Sequence, residues 1–159
     1  MRAYRQGMAD PHSIVARHVV GCRKEDVMSL DLHVEQKTGY VHCTFTGGID
    51  LDSMKEAFRR TVEICGVRNQ SKVLLDLRNT TGTLSVMERY DVGTFGAELL
   101  TRYAVEHQRV LQSALLGSEE LVDPGRFGET VAVNRGAMAK VTTDMREALV
   151  WLDVDPIGG

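Results

Sequence analysis

The sequence is poor in aromatic residues, at 6%, and its only cysteines are Cys22, Cys43 and Cys65. An odd, widely spaced set with no Cys-x-x-Cys indicates neither a disulfide framework nor a zinc site. Reduced thiols inside a cell are the reading that fits. No stretch approaches the roughly 18 consecutive apolar residues of a membrane span. Near the N-terminus the apolar stretches 13–16 and 19–22 are split by Arg17 and His18, which is not a signal-peptide core. A cytoplasmic protein is expected. There is no basic excess: the net charge of −3 gives no support for nucleic-acid binding. Internal repeats, a Gly-x-Ser-x-Gly element and a lysine-bearing phosphate loop are all missing. Gly125-Arg126-Phe127-Gly128 is a turn into a helix, too short for a nucleotide signature. No cofactor and no catalytic constellation is expected.

What is there suits one globular domain. The 159 residues are 43% apolar and 26% charged, and a chain of this length buries roughly 70% of its unfolded surface. Residues 1–27 differ from the rest, because Gly7, Asp10, Pro11, His12 and Ser13 break any periodicity. They read as a mobile extension, as an extra edge strand over residues 14–20, or as a stretch preceding a true start at Met28. The domain proper is expected over 28–155, with 156–159 as a tail.

Within it, Leu30, Leu32 and Val34 alternate with Asp31, His33 and Glu35, the pattern of a half-buried strand. Residues 40–46 repeat it with Val41, Cys43 and Phe45 inward. The link Gln36-Lys37-Thr38-Gly39 suits a hairpin, in a register that sets Val34 against Val41, Leu32 against Cys43, and His33 against His42. Next comes a helix with Leu51, Met54, Phe58, Val62 and Cys65 as its stripe, Asp50 or Asp52 as cap, Ser53 and Glu56 at capping-box spacing, and Gly66 as terminator.

Residues 71–77 form a buried strand and 86–107 a long helix, with Val92, Phe95, Leu99, Leu100 and Tyr103 inward. Gly93 and Gly96 each cost that helix about 1 kcal/mol relative to alanine, so close approach of another group is expected there. Strand 110–116, a short helix over 124–134 ended by Gly136, strand 139–142, and a last helix with Met145, Ala148, Leu149, Trp151 and Leu152 complete the chain. The expected fold is α/β. It has a mixed sheet of about five strands, opening with an antiparallel hairpin and continuing with alternating helices and parallel strands.

Val73-Leu74-Leu75-Asp76-Leu77-Arg78, followed by a polar loop and a helix, resembles the STAS-like domains related to the SpoIIAA anti-sigma-factor antagonist. The stretch from Asp144 to Leu152 resembles the end of the SpoIIAA-like branch, which is also likened to the CRAL-TRIO lipid-binding fold. The resemblance covers residues 30–154. It implies a non-catalytic interaction or regulatory module that meets a protein partner. The CRAL-TRIO likeness implies instead a carrier of a small apolar or lipid-like ligand in a cleft between the 86–107 helix and the sheet. The phospho-switch serine of STAS domains falls at Ser85, where the family's preceding Asp and following Gly are absent.

Two groups of candidate residues follow. One is a switch or partner loop of Asp76, Asn79, Thr80, Thr81 and Ser85. Ser85 has the plainer role of a helix cap with Glu88, and Asp76 that of bonding the next loop's backbone. The other is an apolar cleft of Phe95, Leu99, Tyr103, Phe127 and Trp151, although Trp151 could equally pack on the sheet. His33 and His42 are weak metal candidates, short of the three or four ligands a site needs. Cys43 and Cys65 lie on buried faces, and Cys22 in the tail. A sheet edge or the tail leaves room for a homodimer.

Overall fold

The computed structural model describes residues 13–16 and 30–156. The readings placed on 1–12, 17–29 and 157–159, Cys22, His12 and His18 included, fall outside the described residues. The elements in chain order are β1 (Ser13–Ala16), β2 (Asp31–Lys37), β3 (Tyr40–Gly48), α1 (Leu51–Val67), β4 (Lys72–Thr81), α2 (Val86–His107), β5 (Gln112–Leu116), α3 (Phe127–Asn134), β6 (Ala139–Thr142) and α4 (Met145–Trp151). The six strands lie side by side in chain order. β1–β2 and β2–β3 are antiparallel; β3–β4, β4–β5 and β5–β6 are parallel. β2 to β6 are the five strands expected from the sequence, and Ser13–Ala16 adds an edge.

This order dictates the layers. From β3 to β6 each crossover steps one strand in the same direction, and right-handed crossovers then put every connecting helix on one face. Val41, Cys43, Phe45, Val73, Leu75 and Leu77 accordingly pack under α1 and α2 in the larger core. α3 joins that side, with Ala132 clustered against Ala97 of α2. α4 follows the last strand, so no such rule binds it. It packs on the opposite face, where Ala148, Leu149 and Leu152 meet Tyr40, Leu74, Ala114 and Leu116.

Several local expectations need correction. The hairpin pairs Val34 with Cys43 and Leu32 with Phe45, two residues from the register read in the sequence. The strands run up to Lys37 and Tyr40, and Thr38-Gly39 alone makes the turn, with Gly39 at φ 85°. A slip of two keeps each side chain on its face, so burial alone does not reveal it. His33 therefore faces Thr44, and His42 faces Glu35. α1 is capped by Asp50 in a box with Ser53, not by Ser53 with Glu56, whose carboxylate pairs with Arg59. Gly66 stays inside α1, which ends at Arg68 with the left-handed residue at Asn69. β4 also runs past Leu77 to Thr81, because Thr46, Gly47 and Gly48 of β3 pair with Asn79, Thr80 and Thr81. Those three are strand residues, not loop.

Candidate functional site

The long helix meets its expectations closely. Ser85 is its N-cap. The Ser85 hydroxyl accepts from Glu88 N at 3.2 Å, and Ser85 N donates to Glu88 Oε2 at 2.7 Å, a complete capping box. Gly93 is where close approach is needed. A Cβ there would stand 2.7 Å from the Gly128 carbonyl oxygen and 3.1 Å from Val131 of α3. At Gly96 the nearest atoms are those of Phe58, at 3.4 Å. α2 thus leans on α3 at Gly93 and meets Phe58 of α1 at Gly96, while the sheet lies further below.

That spacing leaves a cavity of about 120 Å³ between α2 and the sheet. Its floor is Val73 and Leu75 of β4, Ser113 and Leu115 of β5, and Ala139 and Val141 of β6. Met54, Phe58 and Val62 of α1 and Val92, Leu99 and Leu100 of α2 close the sides. Towards α3 the wall turns polar with Arg89, Asp123, Arg126, Glu129 and Lys140. Since a water molecule needs only about 10–15 Å³ of such space, this is room for an organic group.

Of the five residues proposed for a cleft, Leu99 lines this cavity. Phe95 points elsewhere, with Lys55 Nζ 5.6 Å from its ring. Tyr103 is buried nearer the end of α2, its hydroxyl donating to the Gln70 carbonyl and its ring stacked on His107 at 4.3 Å. Phe127 is exposed. Trp151 lies on the opposite face, donating from Nε1 to Ser113 O at 3.3 Å. The lining is mostly aliphatic, with Phe58 as its aromatic member, while Tyr103 and Trp151 sit where their polar ends find acceptors.

Asp76 belongs to a second arrangement, on the α4 side of the sheet. It is only 3% exposed. His42 Nε2 stands 3.1 Å from its Oδ2, while Arg78 donates from Nη2 to Oδ2 at 2.8 Å and from Nε to Oδ1 at 3.0 Å. The Arg78 backbone N–H adds a bond to Oδ1 at 3.2 Å, so the expected bond to the following backbone is present within a larger network. Burial pushes this carboxyl up, but the hydrogen bonds from His42 and Arg78 outweigh it and hold the group well below the usual carboxylate range. The His42–Asp76 pair has no local sequence signal, since it depends on the register of two parallel strands joined by a helix.

His33 sits apart, 3.4 Å from Glu35. Among the described residues no three histidines, cysteines or acids gather as a metal site would require. Nor is any helix among them long and apolar enough to cross a membrane. Cys43 and Cys65 are buried, and burial pushes the Cys43 thiol up to about 12, so at neutral pH it is an unreactive core group. Thr80 and Thr81 turn their hydroxyls to backbone carbonyls, Leu77 O at 2.6 Å and Gly47 O at 3.5 Å. Asp76, Asn79, Thr80, Thr81 and Ser85 are therefore divided between a buried ion cluster, a strand end and a helix cap.

No family model and no curated protein matches the chain. Solved structures similar to it include two of the same general fold. One is an anti-sigma factor antagonist from Mycobacterium paratuberculosis, with TM-score 0.49 and 13% identity, covering 79% of this chain and 95% of that one. The other is an uncharacterized protein with a SpoIIAA-like fold from Shewanella loihica, with TM-score 0.44 and 16% identity, covering 82% of this chain and 99% of that one. A SpoIIAA-like fold is also what the stretches around Asp76 and after Asp144 resemble. No activity, ligand or partner passes to this chain from likeness at that level.

Proposed function

We propose that the chain is a non-catalytic binding module that holds a small apolar ligand between α2 and the sheet. The observation that supports this reading is the cavity of about 120 Å³, walled largely by apolar side chains from α1, α2 and three strands. Apolar interiors normally pack with few voids larger than a water molecule, and concave, largely apolar pockets with a few polar groups are where small ligands bind. Native mass spectrometry of the purified protein tests it. A bound mass should be present, or should be acquired from an added apolar probe, and should be lost in Leu100→Phe, which fills the space. A chain that stays ligand-free with every probe removes the reading.

A second reading, a regulatory module that docks a protein partner, is favoured by the start of α2. Val86 and Met87 there are 61% and 69% exposed, directly after the exposed Ser85. A phosphate on Ser85 would meet the helix N-terminus favourably. It would also confront the Glu88 carboxylate that already holds Ser85 N. Modification would then disrupt the capping box as well as charge the surface. Ser85→Asp should weaken association with any partner recovered by cross-linking, and unchanged association would count against the switch.

A further inference from the structure

The cavity wall is not uniform, and its polar side says what the ligand must carry. Arg89, Arg126 and Lys140 line it together with the two acids Asp123 and Glu129, three positive charges against two negative. Both acids are already engaged by the backbone. Asp123 Oδ2 accepts from Phe127 N at 3.2 Å, and Glu129 Oε2 from Val141 N at 2.5 Å. Arg126 and Lys140 both lean outward on Glu147 Oε1, at 3.3 and 3.0 Å. Arg89 is different. Its side chain is 19% exposed, its contact with Asp123 Oδ1 is a long 3.8 Å, and its Nε is buried without a hydrogen-bond partner. A buried donor left unsatisfied is costly, and a ligand acceptor placed there would relieve that cost.

We infer that the cavity takes a small amphiphilic monoanion, a carboxylate carried on an apolar ring or short acyl chain, with the carboxylate on Arg89. This rests on the ligand-binding reading above and adds the chemical class. The apolar part lies against Leu75, Leu99 and Leu115, the head at the wall where Arg89 and Asp123 meet. Of the three lining cations Arg89 alone is not tied to Glu147, which leaves one positive charge to meet a single negative one. Asp123 and Glu129 would repel a dianion. Size sets a second limit: an engineered apolar cavity of about 150 Å³ accepts benzene, so the buried part here is on the order of one ring or a short acyl chain.

The test compares hexanoate with 1-hexanol on the full chain labelled at its methyl groups, followed by NMR titration. Both probes should shift the methyl signals of Val92, Leu99 and Leu115, with hexanoate binding about tenfold more tightly, as a charge-assisted hydrogen bond warrants. Arg89→Met should erase that preference while leaving hexanol binding in place, and Arg89→Lys should keep part of it. Equal affinity of the two probes for the wild-type chain overturns the charge assignment and leaves a neutral-ligand cavity standing, a result independent of how the variants fold. Preference that survives Arg89→Met overturns the role of Arg89. If neither probe moves those methyl signals, the ligand-binding reading falls as well.

Discussion

On one face of the sheet α1 and α2 pack over Val41, Cys43, Phe45, Val73, Leu75 and Leu77, α3 packs beside α2, and between these helices and the strands a cavity is left. On the other, the seven-residue α4 covers Leu74, Ala114 and Leu116. The neighbouring part of that face is held by His42, Asp76 and Arg78. The contrast follows from strand order, which commits every crossover helix to a single side. A face with surplus helices can leave space beneath them. A face with one short helix must fill its remaining area with polar groups that satisfy each other. This explains why β4 is continuously buried from Val73 to Leu77 while β2 alternates.

The largest effect expected of any single change lies on the polar side. Asp76→Asn removes the charge that His42 and Arg78 share, and should cost roughly 3 kcal/mol in urea unfolding at pH 7. The sign of its pH dependence is fixed. Asp76 titrates lower when folded than the ordinary value of about 3.9, so its contribution is full above that value and fades as pH falls towards the folded one. The stability gap between wild type and Asp76→Asn should therefore narrow as the pH falls below about 4. A gap independent of pH would mean that Asp76 acts through shape, not charge.

On the helical side, Gly93→Ala should cost about 2 kcal/mol, because the opposing group is the Gly128 backbone carbonyl and cannot swing away. Gly96→Ala, facing only the Phe58 ring, should instead gain up to about 0.5 kcal/mol from helix propensity. Thermal unfolding of the pair locates where α2 is pressed and where it is free. Equal losses would mean that Phe58 cannot yield and that α2 is pressed as closely on α1 as on α3.

Smaller still is the end of α2. Ser85→Ala should cost about 1 kcal/mol by removing the acceptor for Glu88 N, and Ser85→Asp should restore nearly all of it. Least of all, Leu100→Phe should change stability by under about 1 kcal/mol, since it fills a hole already present, while excluding any bound ligand.

The parts legible in the sequence were those with a local cause. α2 begins and ends as read because Ser85 and Glu88 form its box, and β6 because turn residues flank a short apolar stretch. The strand end Arg78–Thr81 was misread because its polar residues give no burial pattern; their place is set by pairing with β3. Asp76 stood out as a carboxylate in an apolar run, but its partner His42 lies 34 positions away on a strand whose register no turn fixes. The glycines of α2 pointed to the right region. Of the five cleft candidates Leu99 lines the cavity there, beside Phe58 and aliphatic residues of α1 and the strands whose pattern in the sequence is that of any core.

The side-by-side arrangement of β1 to β6 in chain order bears on how the protein is made. As the chain leaves the ribosome, the partner of each new strand has already emerged, and no gap must be held open for a later arrival. Such vectorial growth keeps partly built edges short-lived, which limits the time in which they could pair with other chains. α4 follows all six strands in the chain, so its docking closes the second face only after the whole sheet has emerged.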